Sequence, residues 1–195
     1  VTMDLHSTQI QGFSSKPVDN IYGSLVLMPE LALHFKKISS TDDLTVLIPD
    51  MGSSKLGQSY AKGLGMSFAL IDKRRNAHNQ SEVVSVVGEL ENQHVLIIDD
   101  MIDTAGTISN AAQVAKDKGA LTVTVAATHG ILSANAIERL SNDTIDHIFI
   151  TDTIDMSHIK DCSKLKTISS AKIFAETINR IHNGESVSQL FRKVT

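Results

Sequence analysis

The sequence predicts an α/β fold, a mainly parallel twisted sheet of about five strands with helices on both faces and a small two-stranded flap. Three observations predict it. Short apolar runs alternate with amphipathic stretches along the whole chain, as they do in parallel α/β folds. Around residues 95–107 a strand signal leads through a short polar loop straight into a helix signal. A polar, aperiodic stretch at 73–81 lies between two strand-like runs and reads as an exposed, mobile loop.

In chain order the expected strands are 2–5, 45–49, 68–71, 83–87, 95–98, 123–127, 148–151 and 166–168. The expected helices are 29–37, 55–62, 107–118, 134–140 and 171–182. Residues 88–93 read as a turn. Ser170 is the expected N-cap of the last helix, and Gly184 its stop. There is no internal repeat or low-complexity tract. The length of 195 residues predicts one domain covering 1–195.

Composition narrows the function classes. Eighteen Lys+Arg against 22 Asp+Glu give a net charge of −4, which argues against a nucleic-acid partner. No apolar run approaches the ~20 residues that cross a bilayer, and no signal peptide is visible, so no membrane partner is expected. A single cysteine, Cys162, cannot form an internal disulfide, which fits a reducing, cytoplasmic setting. The first residue is Val, in a strand-like segment, which suggests a fragment or a processed start.

The most informative segment is residues 95–107. Val95, Leu96, Ile97 and Ile98 make a buried strand, followed by Asp99, Asp100, Asp103, Thr104, Ala105, Gly106 and Thr107. A helix start preceded by Gly and hydroxyls suits a phosphate, because free amides and the helix dipole both face the anion. Gly106 permits close backbone approach, and the Thr104 and Thr107 hydroxyls add donors. Adjacent carboxylates would repel phosphate, so Asp99 and Asp100 suit vicinal hydroxyls or a divalent cation. Together these features describe a sugar phosphate, against the plainer reading of acids that cap a turn. Lys73, Arg74 and Arg75 form a basic group on the polar loop, which, taken alone, reads more readily as a solvated face than as a site. His6, taken alone, is more readily structural than a ligand.

The 95–107 segment resembles the phosphoribosyl-pyrophosphate-binding motif of the type I phosphoribosyltransferase fold. Several further runs resemble the ribose-phosphate pyrophosphokinase family. They are Asp4-Leu5-His6, Gln9-Ile10-Gln11-Gly12-Phe13, Pro17-Val18-Asp19-Asn20, Asp72-Lys73-Arg74-Arg75 and Ser186-Val187-Ser188-Gln189-Leu190-Phe191. The resemblance runs from the first residue nearly to the last. It implies the C-terminal domain of a two-domain enzyme that moves the pyrophosphoryl group of ATP to C1 of ribose 5-phosphate, with Mg2+ and in a homo-oligomer, a dimer or hexamer. The preceding domain would hold much of the ATP base.

The same resemblance implies residue roles. Lys73 and Arg75 would be the catalytic cations, with Arg75 also touching ribose 5-phosphate. Asp99, Asp100, Asp103, Thr104, Ala105, Gly106 and Thr107 would bind that sugar phosphate. His6 and Asp50 would serve magnesium. Asp50, Gly52, Ser53 and Lys55 would form a pyrophosphate loop. Thr8, Gln11, Asp19, Asn20, Ser186 and Ser188 would line a regulatory anion site between subunits. The chain departs from the family at Ser53, where a second Gly is usual, and at Leu56, where Arg is expected. Gly130 replaces a usual Pro, and Ser14-Ser15 a Phe-Asp. These departures keep open a non-catalytic, synthetase-associated regulatory subunit. A base phosphoribosyltransferase of the same fold is the third reading.

Overall fold

A computed structural model describes residues 1–38, 43–74, 83–157, 159 and 162–194. Nine strands and five α-helices alternate among these residues. They run β1 (Thr2–Met3), β2 (Asn20–Ile21), α1 (Ser24–Ile38), β3 (Leu44–Ile48), α2 (Ser54–Leu64), β4 (Ser67–Arg74), β5 (Val83–Val87) and β6 (His94–Ile102). Then follow α3 (Gly106–Asp117), β7 (Thr122–Gly130), α4 (Ala136–Leu140), β8 (His147–Thr151), β9 (Leu165–Ile168) and α5 (Ala171–His182). Short 3-10 segments occupy Thr8–Phe13, Met51–Ser53 and Val187–Val194.

The main sheet has seven strands in the order β5-β4-β3-β6-β7-β8-β9, two more than expected. All its pairings are parallel except β4 with β5. The expected flap is thus part of the sheet: β4 pairs with β3 over Ser67–Leu70 and with β5 over Leu70–Arg74. Lys73 accordingly lies on a strand rather than on a loop, while Arg75 and the rest of the polar loop to residue 81 lie outside the described residues. The first strand is shorter than expected and joins a separate two-stranded ribbon with β2.

The central strands are apolar on both faces because both faces are covered. Leu47, Val95, Ile97, Val125 and Ile148 belong to one core with Ile108, Ala111, Ala112 and Ala115 of α3. Val46, Leu96, Ile98, Ala126 and Phe149 belong to the other, with Leu27, Leu31 and Phe35 of α1 and Tyr60 of α2. Helix α1 begins before Pro29, so the proline sits inside the helix. Burial of Leu27, Met28, Leu31 and Phe35 holds it there, although an interior proline costs ~3 kcal/mol. Ser170 does precede α5, but its hydroxyl donates to Asp152 Oδ1 at 2.6 Å instead of capping the helix. Gly184, at φ +68°, ends α5 as expected.

Candidate functional site

Strand order fixes where a site can form. From β3 the chain crosses to β4 on one side, and from β6 it crosses to β7 on the other. Ligands of open parallel sheets bind outside the carboxyl ends of the strands at this reversal. Asp50 follows β3, and Asp99 and Asp100 lie in the carboxyl-terminal half of β6, its direct neighbour.

Strand β6 continues through the acids. Asp99 pairs with Ala127 and Met101 with His129 across the β7 ladder. Asp99 Oδ1 accepts the Asp100 amide at 2.9 Å and the Ser53 hydroxyl at 3.3 Å. Burial pushes the Asp99 carboxyl up to about 6, and the neighbouring Asp100 charge adds to the rise against the stabilising amide bond. His6 Nδ1 lies 2.7 Å from Asp100 Oδ2. That hydrogen bond raises the His6 pKa, although its side chain is 71% exposed.

The loop after β3 is folded by Asp50. Its Oδ1 accepts the amides of Gly52 at 2.8 Å and Ser53 at 3.2 Å, capping the Met51–Ser53 turn. The Ser53 hydroxyl ties this turn to Asp99. Lys55 stands in the first turn of α2. Leu56 packs partly buried against the α1/α2 core, so an apolar side chain has turned inward where a guanidinium is expected to face the loop.

Asp103, Thr104 and Ala105 form the loop between β6 and α3. Ala105 holds φ +59° and supplies no capping side chain, so the first amides of α3 have no intrahelical partner. Two residues that the sequence did not single out support this loop. Ser133 Oγ donates to Asp103 Oδ1, and Arg139 donates from Nη1 to the Thr104 carbonyl at 2.8 Å. An added Cβ at Gly106 would meet Arg139 Nη1 only at 3.5 Å, so no protein neighbour forces glycine there. Thr104 and Thr107 are exposed.

His6 bonds to Asp100, Asp50 bonds to its own turn, and among the described residues no group of three or more His, Cys, Asp or Glu side chains is arranged to hold a metal ion. Asp50 offers the carboxylate oxygen that Mg2+ takes, whereas His6 offers an imidazole nitrogen, and Mg2+ keeps several waters that can stand between it and such a group. The proposed regulatory residues are partly committed to structure. Asn20 Oδ1 accepts from Thr2 Oγ1 at 3.0 Å and the Leu5 amide at 3.2 Å, and the Asp19 carbonyl accepts the Thr2 amide. Gln11 donates to the Thr8 carbonyl, and the Ser186 and Ser188 hydroxyls are 3.1 Å apart. Tyr22 and Phe191, which follow these two groups in sequence, have ring centroids 5.1 Å apart. Among the described residues no helix is long and apolar enough to cross a membrane.

Residues 75–192 match the phosphoribosyl synthetase-associated domain model. The chain is 44% identical over 191 residues to a ribose-phosphate pyrophosphokinase of Chlorobaculum tepidum, covering 98% of this chain and 58% of that protein. It is 43% identical over 193 residues to a ribose-phosphate pyrophosphokinase of Coxiella burnetii, covering 98% and 59%. The crystal structure of phosphoribosylpyrophosphate synthetase from Mycobacterium smegmatis superposes with a TM-score of 0.83 at 33% identity, over 93% of this chain and 58% of that one. The chain thus spans well under two thirds of the length of these relatives.

Proposed function

The chain belongs to the phosphoribosyl synthetase family, and from that membership we propose that it takes part in transferring pyrophosphate from ATP to C1 of ribose 5-phosphate, giving phosphoribosyl pyrophosphate and AMP. The observation that carries the reading is the pairing of an acid couple, Asp99 and Asp100, with the uncapped start of α3 at the strand-order reversal. The open amides at 106 and 107, with the Thr104 and Thr107 hydroxyls, would take the 5-phosphate. A ligand's close approach would then be the reason for Gly106. The acids would take the ribose hydroxyls. Lys73 and Arg75 would stabilise charge developing on the transferred group. His6 and Asp50 would hold Mg2+, which supplies neutralisation of the ATP phosphates, and the turn of Asp50, Gly52, Ser53 and Lys55 would face the pyrophosphate.

The 195 residues would act as one phosphoribosyltransferase-like domain within a longer, cytoplasmic, homo-oligomeric enzyme. Thr8, Gln11, Asp19, Asn20, Ser186 and Ser188 would serve an anion that regulates it between subunits. A second reading, a non-catalytic regulatory subunit, is favoured by two observations: Ser53 is tied to Asp99, and Leu56 is turned into the core. An AMP-release assay on the full-length protein with ATP, ribose 5-phosphate and Mg2+ separates the two. Equal yields of AMP and phosphoribosyl pyrophosphate are expected. Ribose 5-phosphate binding without AMP release would favour the regulatory subunit.

A further inference from the structure

We propose that Asp4, Thr128 and His129 are positioning residues for His6, fastening the segment ahead of it to the end of β7 and so fixing where its ring meets Asp100. The inference rests on the reading above that His6 serves the reaction. The Asp-Leu-His run invites a different assignment, in which Asp4 is a second acid of the site. The structure commits the Asp4 carboxyl to other partners. Its Oδ2 accepts the Gly23 amide at 2.9 Å and the Thr128 hydroxyl at 2.6 Å, and Asp4 is only partly exposed.

The backbone around Asp4 needs such a hold. Strand β1 ends at Met3, and its only ladder is the two-residue pairing with β2. Asp4 then adopts φ +38°, a left-handed turn that L residues other than Asn and Asp rarely accept. His129 supports this turn from the other side. Its Nε2 lies 3.1 Å from the Met3 carbonyl and 3.2 Å from the Asp4 carbonyl. Carbonyls only accept, so Nε2 carries the hydrogen. Nδ1 lies 2.8 Å from the Thr153 hydroxyl, which holds the ring from its other side. Thr151 donates to the Thr128 carbonyl at 2.7 Å and steadies the same strand end.

His6 stands only one residue beyond the Asp4–Leu5 peptide, so the direction of that turn sets the place of its ring. The His6–Asp100 contact at 2.7 Å is the result. Chemistry that depends on held geometry loses about a hundredfold for a misplacement of about 1 Å. His129 is therefore expected to act through His6, while its own hydrogen bonds go to Met3, Asp4 and Thr153.

The test is a double-mutant cycle in the full-length protein, with kcat for AMP release and the Kd for ribose 5-phosphate measured separately. His129→Leu removes the donor, and His129→Gln keeps an N–H within reach of the same carbonyls. His129→Leu should lower kcat about tenfold or more with Kd changed by less than about twofold, and His129→Gln should recover most of the loss. In a His6→Ala background His129→Leu should add less than about a further twofold. An equal loss in both backgrounds, or full kcat in His129→Leu, would overturn the proposal. Imidazole 15N spectra of the 195-residue chain give a readout that does not depend on activity. The His6 signals should shift in His129→Leu and return in His129→Gln, and unmoved signals would also overturn it. Full kcat in His6→Ala alone would instead remove the role given to His6, leaving the spectra to judge the positioning. If His129→Leu does not fold, Thr128→Val carries the same cycle, since it removes the hydroxyl that holds Asp4.

Discussion

Gly23→Ala should destabilise the fold, although the change usually does the opposite. The φ of Gly23 lies outside the left-handed region, so the backbone itself would accept a side chain. At such positions alanine typically adds about 0.4–1 kcal/mol by restricting the unfolded chain. Here the new Cβ would fall on the Thr128 Oγ1 atom, 2.6 Å from Asp4 Oδ2 and 2.8 Å from Thr128 Cγ2. Both branches of Thr128 are in the way, so rotating its side chain does not clear the space. Overpacking of this kind costs about 1–3 kcal/mol. Forcing Thr128 off the Asp4 carboxylate removes a hydrogen bond to a charged group, worth about 1.5–3 kcal/mol. The expected loss is about 3–5 kcal/mol, since neighbouring effects do not simply add. For a chain of this size that lowers Tm by roughly 10 °C. Thermal and urea unfolding of the purified chain measure it. The double change Gly23→Ala with Thr128→Ala removes the two clashing Thr128 atoms, leaving Asp4 Oδ2 free to shift, and should regain about half of the loss. A single variant within about 0.5 kcal/mol of the parent would refute the steric argument, as would a double variant no more stable than the single one.

Three further outcomes are expected. Stability should fall as pH drops from about 6.5 toward 4, because burial, helped by the charges of His147, Lys166 and Lys37, pushes His34 down to about 4 from its ordinary 6.5. In that window the unfolded chain binds the proton that the folded chain refuses, so the contribution is intact above 6.5 and lost through 4; urea titrations at stepped pH should show a shallower slope in His34→Gln. Asp100→Ala should weaken ribose 5-phosphate binding about tenfold or more by calorimetry, and an unchanged affinity would remove the diol assignment. Ser53→Gly takes the hydroxyl off Asp99 Oδ1 and a Cβ off the turn, so kcat of the full-length protein should rise roughly threefold or more; a constant or lower kcat would show that the tie does not restrain turnover.

What the sequence made legible was whatever is written locally. Val95–Ile98 read as a strand because a run buried on both faces is apolar throughout. The strand's continuation to Ile102 did not, because carboxylates look like an ending while the ladder to β7 runs on through Asp99 and Met101. Strand β2 is two residues long and has no period to detect. Helix α1 starts five residues before Pro29, where the sequence pattern places its beginning, because the apolar turn ahead of the proline is stabilised by packing that no local rule reports. The acids and hydroxyls of 99–107 were identifiable from residue type and order. Their supports were not: Ser133 and Arg139 reach the loop from 30 and 35 residues away. The inward turn of Leu56 is likewise a packing outcome.

Strand β4 is held unevenly along its length, and this gives it the mechanics of a cantilever. Its root, Ser67–Leu70, is clamped to β3, whereas Ile71–Arg74 has a ladder only with β5. At ~3.3 Å per residue, Lys73 stands about 10 Å beyond the last clamped position. A flexure of only about 10° at the root then carries the Lys73 backbone nearly 2 Å, with no change in either core. The bolt at that root is the pair Ile71 and Val86, the first 3% exposed and the second packed against the same core. A methylene gained or lost there is amplified outward, so the position of the Lys73 backbone is set by the volume of two apolar side chains that carry no charge.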